Sequence, residues 1–182
     1  MILNSQRLIL RNFKSTDLDD FFYYASQPNV GPNAGWTPHL SKSETKFVLS
    51  NFIKNKCEFA IEYNQKVIGS IGYSKDGKRN YSNVYQIGYC LCQDYWGMGL
   101  MPEAVECLLE YLFEEIQAEL VAVYHFPFNE RSKRVILKTG FRYEGTMYLS
   151  YMMPNGTIYD EACYSMSKEE YLLKKIKKNI NI

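Results

Sequence analysis

The hydrophobic and polar positions along the chain predict strands and helices in alternation. "RLILRN" (7–12), "CEFAIEY" (57–63) and "KVIGSIGYS" (66–74) alternate apolar and polar residues, as half-buried strands do, and "LVAVYHF" (120–126) predicts a further strand. "VYQIGYCLC" (84–92) is more continuously apolar, which favours a central strand. A two-residue "NQ" turn and a "PNG" turn each join two such runs and predict two β-hairpins.

Helical patterns fill the intervals between these strands. We predict Thr16 as the N-cap of a helix whose first turn is acidic, and Ser41 with Glu44 as the capping box of a second helix. A third helix runs from about Met101 to Ile116 along one apolar stripe. "NERSKRVILKTGF" (129–141) predicts a short fourth helix, and the C-terminal segment predicts a fifth.

The element order is therefore β, α, α, β-hairpin, β, α, β, α, β-hairpin, α. Such an order predicts an α/β or α+β fold built on one mixed sheet of about seven strands. The chain has 182 residues and contains no repeats or linkers, so we expect a single domain spanning 1–182. The strands at 146–153 and 158–166 could pair across a homodimer if they are exposed.

Composition and charge narrow the classes of partner. The net charge is +1, which gives no electrostatic reason to expect nucleic acid or a membrane surface as partner. No apolar run approaches the ~18 residues of a membrane-spanning helix, and the first residues lack the apolar core of a signal peptide. Five scattered cysteines indicate reduced thiols, and two histidines give no metal-ligand spacing. We therefore expect a cytoplasmic protein without a metal.

The junction between strand 84–92 and the following helix carries the first chemical signal. Gly97 and Gly99 stand two residues apart, immediately before the helix. Glycines at a helix start leave the backbone N–H groups accessible to an anion such as phosphate. The Walker lysine is absent, and Glu103 stands near the place of the third Rossmann glycine. Taken alone, the two glycines fit a phosphate cradle or a simple tight turn.

A second run downstream gives the junction its context. Together the two stretches resemble the GNAT superfamily of N-acetyltransferases, whose Q/R-x-x-G-x-G/A loop binds the pyrophosphate of acetyl-CoA. The loop pattern falls on Trp96-Gly97-Met98-Gly99-Leu100-Met101, with Trp96 in place of Arg or Gln and Met101 in place of Gly or Ala. The downstream run resembles the RimJ/RimL-type branch, which acetylates protein N-termini; its matching residues are Asn129, Ser132, Val135, Ile136, Leu137, Lys138, Gly140, Phe141, Glu144 and Gly145.

The resemblance implies a GNAT fold, with a mostly antiparallel sheet that splays between strands 84–92 and 120–126. Acetyl-CoA would be the cosubstrate, without a metal, and its pyrophosphate would lie on the main chain of residues 96–101. The pantetheine arm would lie in the splay and bond the main chain near Leu91, with Asn129 holding it. A main-chain N–H near Leu91 or Cys92 would stabilise the oxyanion.

The same resemblance implies that Ser132 donates the proton that the departing CoA thiolate needs. Helix N-capping is an alternative role for Ser132, since serine favours the first helical turn. The rival acids are Tyr124, Tyr143 and Tyr151.

The general base is less clear from the sequence. Relatives carry a carboxylate at the places that Gln86 and Tyr151 occupy here, so we predict these two residues as substrate contacts without base function. A site short of a carboxylate would suit an α-amine of pKa ~7.7–8.0 better than a lysine amine of ~10.4. Glu103, Asp160 and Glu161 remain as possible bases.

The acceptor is a primary amine, and the branch resemblance favours a protein or peptide N-terminus. Trp36, in the loop 31–40 that walls the acceptor cleft in this family, is our candidate substrate contact, although it could equally be a packing anchor. Two alternatives stay open. One is a small amine acceptor such as a polyamine, amino acid or antibiotic, and the other is a regulatory module that binds CoA without turnover.

Overall fold

The computed structural model describes residues 1–180 and contains one eight-stranded sheet with helices on both faces. The strands are β1 (Ile2–Asn4), β2 (Ile9–Asn12), β3 (Glu58–Tyr63), β4 (Lys66–Lys75), β5 (Val84–Leu91), β6 (Leu120–His125), β7 (Arg142–Met152) and β8 (Ile158–Ser167). The helices are α1 (Leu18–Ala25), α2 (Gly31–Ala34), α3 (Lys42–Asn55), α4 (Leu100–Glu110), α5 (Glu130–Lys138) and α6 (Lys168–Ile180).

The sheet is mixed and mostly antiparallel, as predicted. Its strand order is β1-β2-β3-β4-β5-β6-β8-β7, and only the β5–β6 pair is parallel. That parallel ladder begins at Val84–Leu120 and ends at Ile87–Val123, so the last four residues of β5 separate from β6. Beyond this point β5 stays paired with β4, and β6 stays paired with β8. The predicted splay is therefore present.

Two apolar cores lie on opposite faces of the sheet. The face that carries Ala60 and Cys92 packs against α1 and α3 through Phe21, Tyr24 and Leu49. The other face packs against α4, α5 and α6, where the predicted apolar stripe of α4 is fully enclosed; its buried members are Leu100, Met101, Ala104, Val105, Leu108 and Leu109. Because each face has its own core, the splay lies between two rigid layers.

Most of the predicted elements are confirmed at their predicted positions. Asn64 and Gln65 both have positive φ, as the tight turn between β3 and β4 requires. The Ser41 hydroxyl accepts a hydrogen bond from the Glu44 N–H at 3.2 Å and caps α3. Gly140, at φ 85°, ends α5 in the left-handed conformation.

The structure differs from the sequence prediction in four elements. The short strand β1 is an eighth strand that the pattern of apolar and polar residues does not predict, and α2 forms within the predicted loop 31–40. The α4 segment continues as a π-helical turn, Tyr111–Glu115. Strand 158–166 is not exposed, because β8 lies between β6 and β7, so β7 alone of that pair leaves an edge within residues 1–180. None of the described helices is long and apolar enough to span a membrane.

The predicted cap at Thr16 is wrong, and a buried ion pair explains why. The Asp17 carboxylate accepts the Lys14 N–H at 2.7 Å and two bonds from the Arg11 guanidinium, at 2.8 and 2.9 Å. Arg11 also donates through Nε to Glu62 on β3. The helical entrance is therefore fixed by an acid that reaches back to β2, not by the neighbouring hydroxyl.

We expect Asp17→Ala to lower the free energy of unfolding by about 3–5 kcal/mol, since it leaves a buried guanidinium with fewer partners. Urea denaturation followed by circular dichroism measures this change. The matched control is Asp19→Ala, because Asp19 pairs with Lys42 at the exposed surface and should cost less than about 1 kcal/mol. Equal losses in the two variants would contradict a structural role for the Arg11–Asp17 pair.

Candidate active site

The turn before α4 has the geometry that an anion site requires. Gly97 and Gly99 have φ of 80° and 74°, which L side chains rarely adopt, and a Cβ at Gly97 would meet no atom within 4 Å. Gly99 is the N-cap of α4, and no side chain in the described part of the chain caps that helix. The first N–H groups of α4 therefore remain available to an anionic ligand.

A cleft of about 590 Å³ starts at this turn and continues into the splay. Its floor includes Tyr89, Cys90 and Leu91 at the end of β5. Its other walls come from α2, the glycine turn and α5; the residues include Asn33, Tyr95, Trp96, Gly97, Gly99, Leu100, Met101, Asn129, Arg131, Ser132, Arg134 and Lys138. Three of these, from α5, are cations, which suit a ligand carrying several phosphate groups.

The main chain at the end of β5 is turned toward the splay at alternate residues. The Cys92 N–H donates to the Ile68 carbonyl on β4 at 2.8 Å, so it is not free to stabilise an oxyanion. Successive N–H groups point to opposite sides of a strand, and those of Tyr89 and Leu91 therefore face the gap left by β6. Of the two predicted donors, Leu91 is the one with a suitable orientation.

Trp96 and Met98 are held in place around the glycine turn. The Trp96 indole N–H donates to the Leu91 carbonyl at 2.9 Å, and the Arg131 guanidinium lies 4.3 Å from the centre of the Trp96 ring. Arg7 donates to the Met98 carbonyl at 3.1 Å and to the Glu103 carboxylate at 2.7 Å. The turn is thus tied to β5, to α5 and to the β1–β2 connection.

Ser132 lies inside the cleft, where its hydroxyl is 2.9 Å from the Tyr89 hydroxyl. Burial raises the pKa of Tyr89, which keeps this phenol protonated near neutral pH. The N-cap of α5 is Asn129, whose Oδ1 accepts the Ser132 N–H at 3.1 Å. The capping role considered for Ser132 therefore belongs to Asn129, which also donates to the Asn33 carbonyl at 2.9 Å.

The rival acids lie away from this pair and are engaged elsewhere. Tyr124 donates to Asp76, and the Tyr143 hydroxyl is 2.8 Å from Thr146. Tyr151 donates to the Gly35 carbonyl at 2.9 Å. None of these three tyrosines lines the cleft formed by the described residues.

The three predicted substrate contacts occupy different positions. Gln86 is half-buried on β5, four residues before Cys90 and on the same face of the sheet. Tyr151 joins β7 to the segment 31–40 through its bond to Gly35. Trp36 packs against His39, with ring centres 5.3 Å apart, and against Gly31, where an added Cβ would approach its ring to 2.6 Å. Trp36 and Tyr151 thus brace the segment 31–40, and contact with substrate stays a prediction for all three.

The carboxylates predicted as possible bases already have partners. Glu103 accepts bonds from Ser5 and from the backbone and side chain of Arg7. Glu161 pairs with Lys78 at 2.6 Å, and Asp160 accepts the Leu149 N–H at 2.8 Å. A proton acceptor with these engagements would first have to give up existing bonds.

One carboxylate that the sequence analysis missed has no such engagement. Glu58, on β3, packs its carboxyl over Gly72, where an added Cβ would lie 2.2 Å from Oε2. Within residues 1–180 no group donates a hydrogen bond to it, and burial raises its pKa from 4.5 to about 7. The sequence could have indicated this position, because Glu58 is two residues before Ala60 on the same strand and therefore shares its buried face.

The comparisons with known proteins agree with this geometry. The family model described as acetyltransferase (GNAT) domain matches residues 7–142, and the chain belongs to this family. The uncharacterized N-acetyltransferase YoaA of Bacillus subtilis strain 168 is 29% identical over 174 residues, which cover 92% of this chain and 97% of YoaA. The protein accordingly belongs to the class of acetyl-CoA-dependent N-acetyltransferases.

Solved structures show the same fold. A GNAT-family acetyltransferase from Bacillus anthracis has a TM-score of 0.83 at 23% identity, covering 93% of this chain and 100% of that one. The ribosomal-protein-S5-alanine acetyltransferase from Vibrio fischeri has a TM-score of 0.74 at 23% identity, with coverages of 93% and 98%. The self-immunity acetyltransferase MccE, solved with acetyl-CoA and AMP, has a TM-score of 0.77 at 19% identity, with coverages of 89% and 93%.

We expect Glu58→Gln to stabilise the protein at pH 8. A carboxyl whose folded-state pKa is raised contributes less stability as the pH rises from about 4.5 to 7, because the ionised form is disfavoured in the folded state. The variant should therefore gain on the order of 1–2 kcal/mol at pH 8 and nothing at pH 4, in urea unfolding at both pH values.

The matched control is Glu62→Gln on the same strand and face. Glu62 accepts a bond from Arg11 at 2.5 Å, so its neutralisation should lower stability at pH 8. A loss of stability at pH 8 in Glu58→Gln would contradict the inferred burial effect.

Proposed function

We propose that the protein binds acetyl-CoA in this cleft and transfers the acetyl group to the α-amine of a protein or peptide N-terminus. The observation that carries the proposal is the continuity of the cleft, which runs from the N-terminus of α4 through the splay to Tyr89 and Ser132. A single extended ligand with phosphates at one end and a thioester at the other has this shape and charge distribution.

The residues that would hold the cosubstrate follow from the cleft. The N–H groups at Met98–Met101 would bind the pyrophosphate, with Arg131, Arg134 and Lys138 adding positive charge around the phosphates. The N–H group of Tyr89 would bond a carbonyl oxygen of the pantetheine amides, and the N–H group of Leu91 would stabilise charge on the thioester carbonyl oxygen. When bound, acetyl-CoA supplies an activated thioester, so the protein's task is chiefly to position the amine and to move protons.

The Tyr89–Ser132 pair is the proton donor in this proposal. Two hydroxyls 2.9 Å apart can pass a proton from one to the other. Ser132 lies on α5, the helix that also carries the three cations of the cleft. Since the pKa of Tyr89 is raised, the pair keeps its protons at neutral pH and would give one to sulfur only as the C–S bond breaks and negative charge develops there.

An N-terminal α-amine as acceptor is supported by similarity to known proteins and by the acidity of amines. The run from Asn129 to Gly145 resembles the branch that acetylates protein N-termini, and the Vibrio fischeri structure of the same fold is named for ribosomal protein S5 alanine. Near pH 7.5 the neutral fraction of an α-amine exceeds that of a lysine amine by about two hundredfold. Because the amine must be neutral to attack the thioester, an N-terminal amine reaches the reactive form more readily than a lysine amine.

We expect a peptide with a free N-terminus and no lysine to be acetylated with kcat/KM at least tenfold above a peptide with a blocked N-terminus and one lysine. Thiol release from acetyl-CoA measures both, and a polyamine, an amino acid and an aminoglycoside complete the panel. Faster turnover of a small amine would replace the peptide acceptor with that class. Acetyl-CoA binding without turnover of any amine would favour a regulatory module.

We expect Ser132→Ala and Tyr89→Phe each to lower kcat by about 10- to 100-fold, because they remove members of the proton-donating pair. The dissociation constant for acetyl-CoA, measured by calorimetry, should change by less than about threefold. The control is Tyr143→Phe, since the Tyr143 hydroxyl contacts only Thr146 among its described neighbours and lies outside the cleft. Full activity in both hydroxyl variants would remove the pair from the mechanism.

A further inference from the structure

We propose that Glu58 is the general base that takes a proton from the acceptor amine. This inference rests on the proposed N-acetyltransferase function and assigns a catalytic residue on β3, outside the places where the family carries its carboxylates. It follows from the position of Glu58 on the sheet, from its lack of a partner and from the glycines beside it.

The first argument is position across the strands. Glu58 pairs with Gly72 on β4, and Gly72 pairs with Gly88 on β5, so the three residues form one row on one face of the sheet. The Glu58 carboxyl lies over Gly72, which places it about one strand spacing, ~4.8 Å, from Gly88. Gly88 is exposed, and a Cβ added there would meet no atom within 4 Å.

The open space above Gly88 lies next to the splay. Gly88 is the first residue of β5 beyond the parallel ladder, and Cys90, two residues on and on the same face, lines the cleft. An amine above Gly88 would therefore have the carboxyl of Glu58 on one side and the end of the cleft on the other. The two glycines keep the intervening surface free of side chains.

The second argument is the surroundings of the carboxyl. The titratable groups that face it are the phenol of Tyr24 from α1 and the thiol of Cys90 from β5, with the Ser70 hydroxyl beside them. Burial raises the pKa of Cys90 to about 11 and that of Tyr24 well above its ordinary value, so both are neutral at pH 7. Asp17, which also acts on Tyr24, is paired with Arg11.

Among residues 1–180, no cation holds Glu58 in its ionised form. With the pKa raised to about 7 by burial alone, the carboxyl is near the pKa of an α-amine and can exchange a proton with it readily. The other three candidate carboxylates are tied to hydrogen-bond donors, which oppose protonation. Glu58 is thus the carboxylate suited to the task both by place and by proton affinity.

The proton balance can be written in full. The acceptor arrives as an ammonium ion, and Glu58 takes one proton from its nitrogen. The nitrogen lone pair then attacks the thioester carbonyl carbon, so that a C–N bond forms and the C–S bond breaks with its electron pair on sulfur. The Ser132–Tyr89 pair gives a proton to sulfur and is reprotonated by the second proton that leaves the nitrogen. The products are an amide and CoA thiol, and Glu58 releases its proton to water.

The test compares wild type, Glu58→Gln and Glu58→Asp with a free N-terminal peptide and acetyl-CoA. We expect Glu58→Gln to lower kcat/KM by about 100-fold at pH 7 and to leave the calorimetric dissociation constant for acetyl-CoA within threefold. The deficit should shrink toward pH 9, where the α-amine is already neutral, and Glu58→Asp should recover part of the rate. Carbon-13 NMR of labelled glutamate should show one carboxyl titrating near pH 7 that is absent in Glu58→Gln.

The control is Glu62→Gln, which removes a carboxylate from the same strand and face and should change kcat/KM at pH 7 by less than about twofold at 25 °C. A Glu58→Gln enzyme with wild-type rates and an unchanged pH profile would overturn the assignment of the base and leave the proposed function intact. A Glu58 carboxyl that titrates near pH 4.5 would also overturn it. Wild-type enzyme that turns over no amine would overturn the proposed function together with the base.

Discussion

The separation of β5 from β6 is the constraint on which the site depends. The ladder ends at Ile87–Val123, while beyond this point β5 stays paired with β4 and β6 stays paired with β8. Main-chain groups at Tyr89 and Leu91 consequently lack a strand partner, which is costly in a protein interior. The Trp96 indole bonds the Leu91 carbonyl, and a ligand that offers amide groups would bond the remaining N–H groups. The sheet thus provides a binding edge inside its own core.

The glycine turn depends on a rigid surrounding as much as on its own backbone. A left-handed residue can be mobile, yet here Arg7 donates both to the Met98 carbonyl in the turn and to the Glu103 carboxylate on α4. Although burial alone would raise it, the bonds from Ser5 and Arg7 hold the pKa of Glu103 below its ordinary value, so this link persists in mild acid. Glu103, which stands near the place of a Rossmann glycine, therefore links α4 to the β1–β2 connection. The open N–H groups at the start of α4 keep a fixed direction.

The features predicted from sequence are those that short segments determine. The tight turn at Asn64 and Gln65, the Ser41 cap and the left-handed Gly140 each depend on a few neighbouring residues, and all three are confirmed. The GNAT fold was predicted because two motifs with a fixed order lie on the elements that the family requires. The errors involve partners distant in sequence: the Asp17 carboxylate is directed by Arg11 and Lys14, and β1 exists because β2 is available beside it.

The candidate base Glu58 also depends on residues distant in sequence, and the sequence pattern therefore did not predict it. The family pattern is linear and has its carboxylates at the places that Gln86 and Tyr151 occupy here, whereas proton transfer depends only on where the group lies in space. Glu58 reaches the surface beside Gly88 from two strands away because Gly72 leaves room for its carboxyl. In our proposal the proton affinity of Glu58 also selects the acceptor. Transfer from an α-ammonium to a carboxylate of pKa about 7 is uphill by roughly one pK unit, or ~1.4 kcal/mol, but transfer from a lysine ammonium is uphill by more than three units. In this proposal the burial of Glu58, which no cation among residues 1–180 contacts, makes it a base for N-termini and a poor base for lysine.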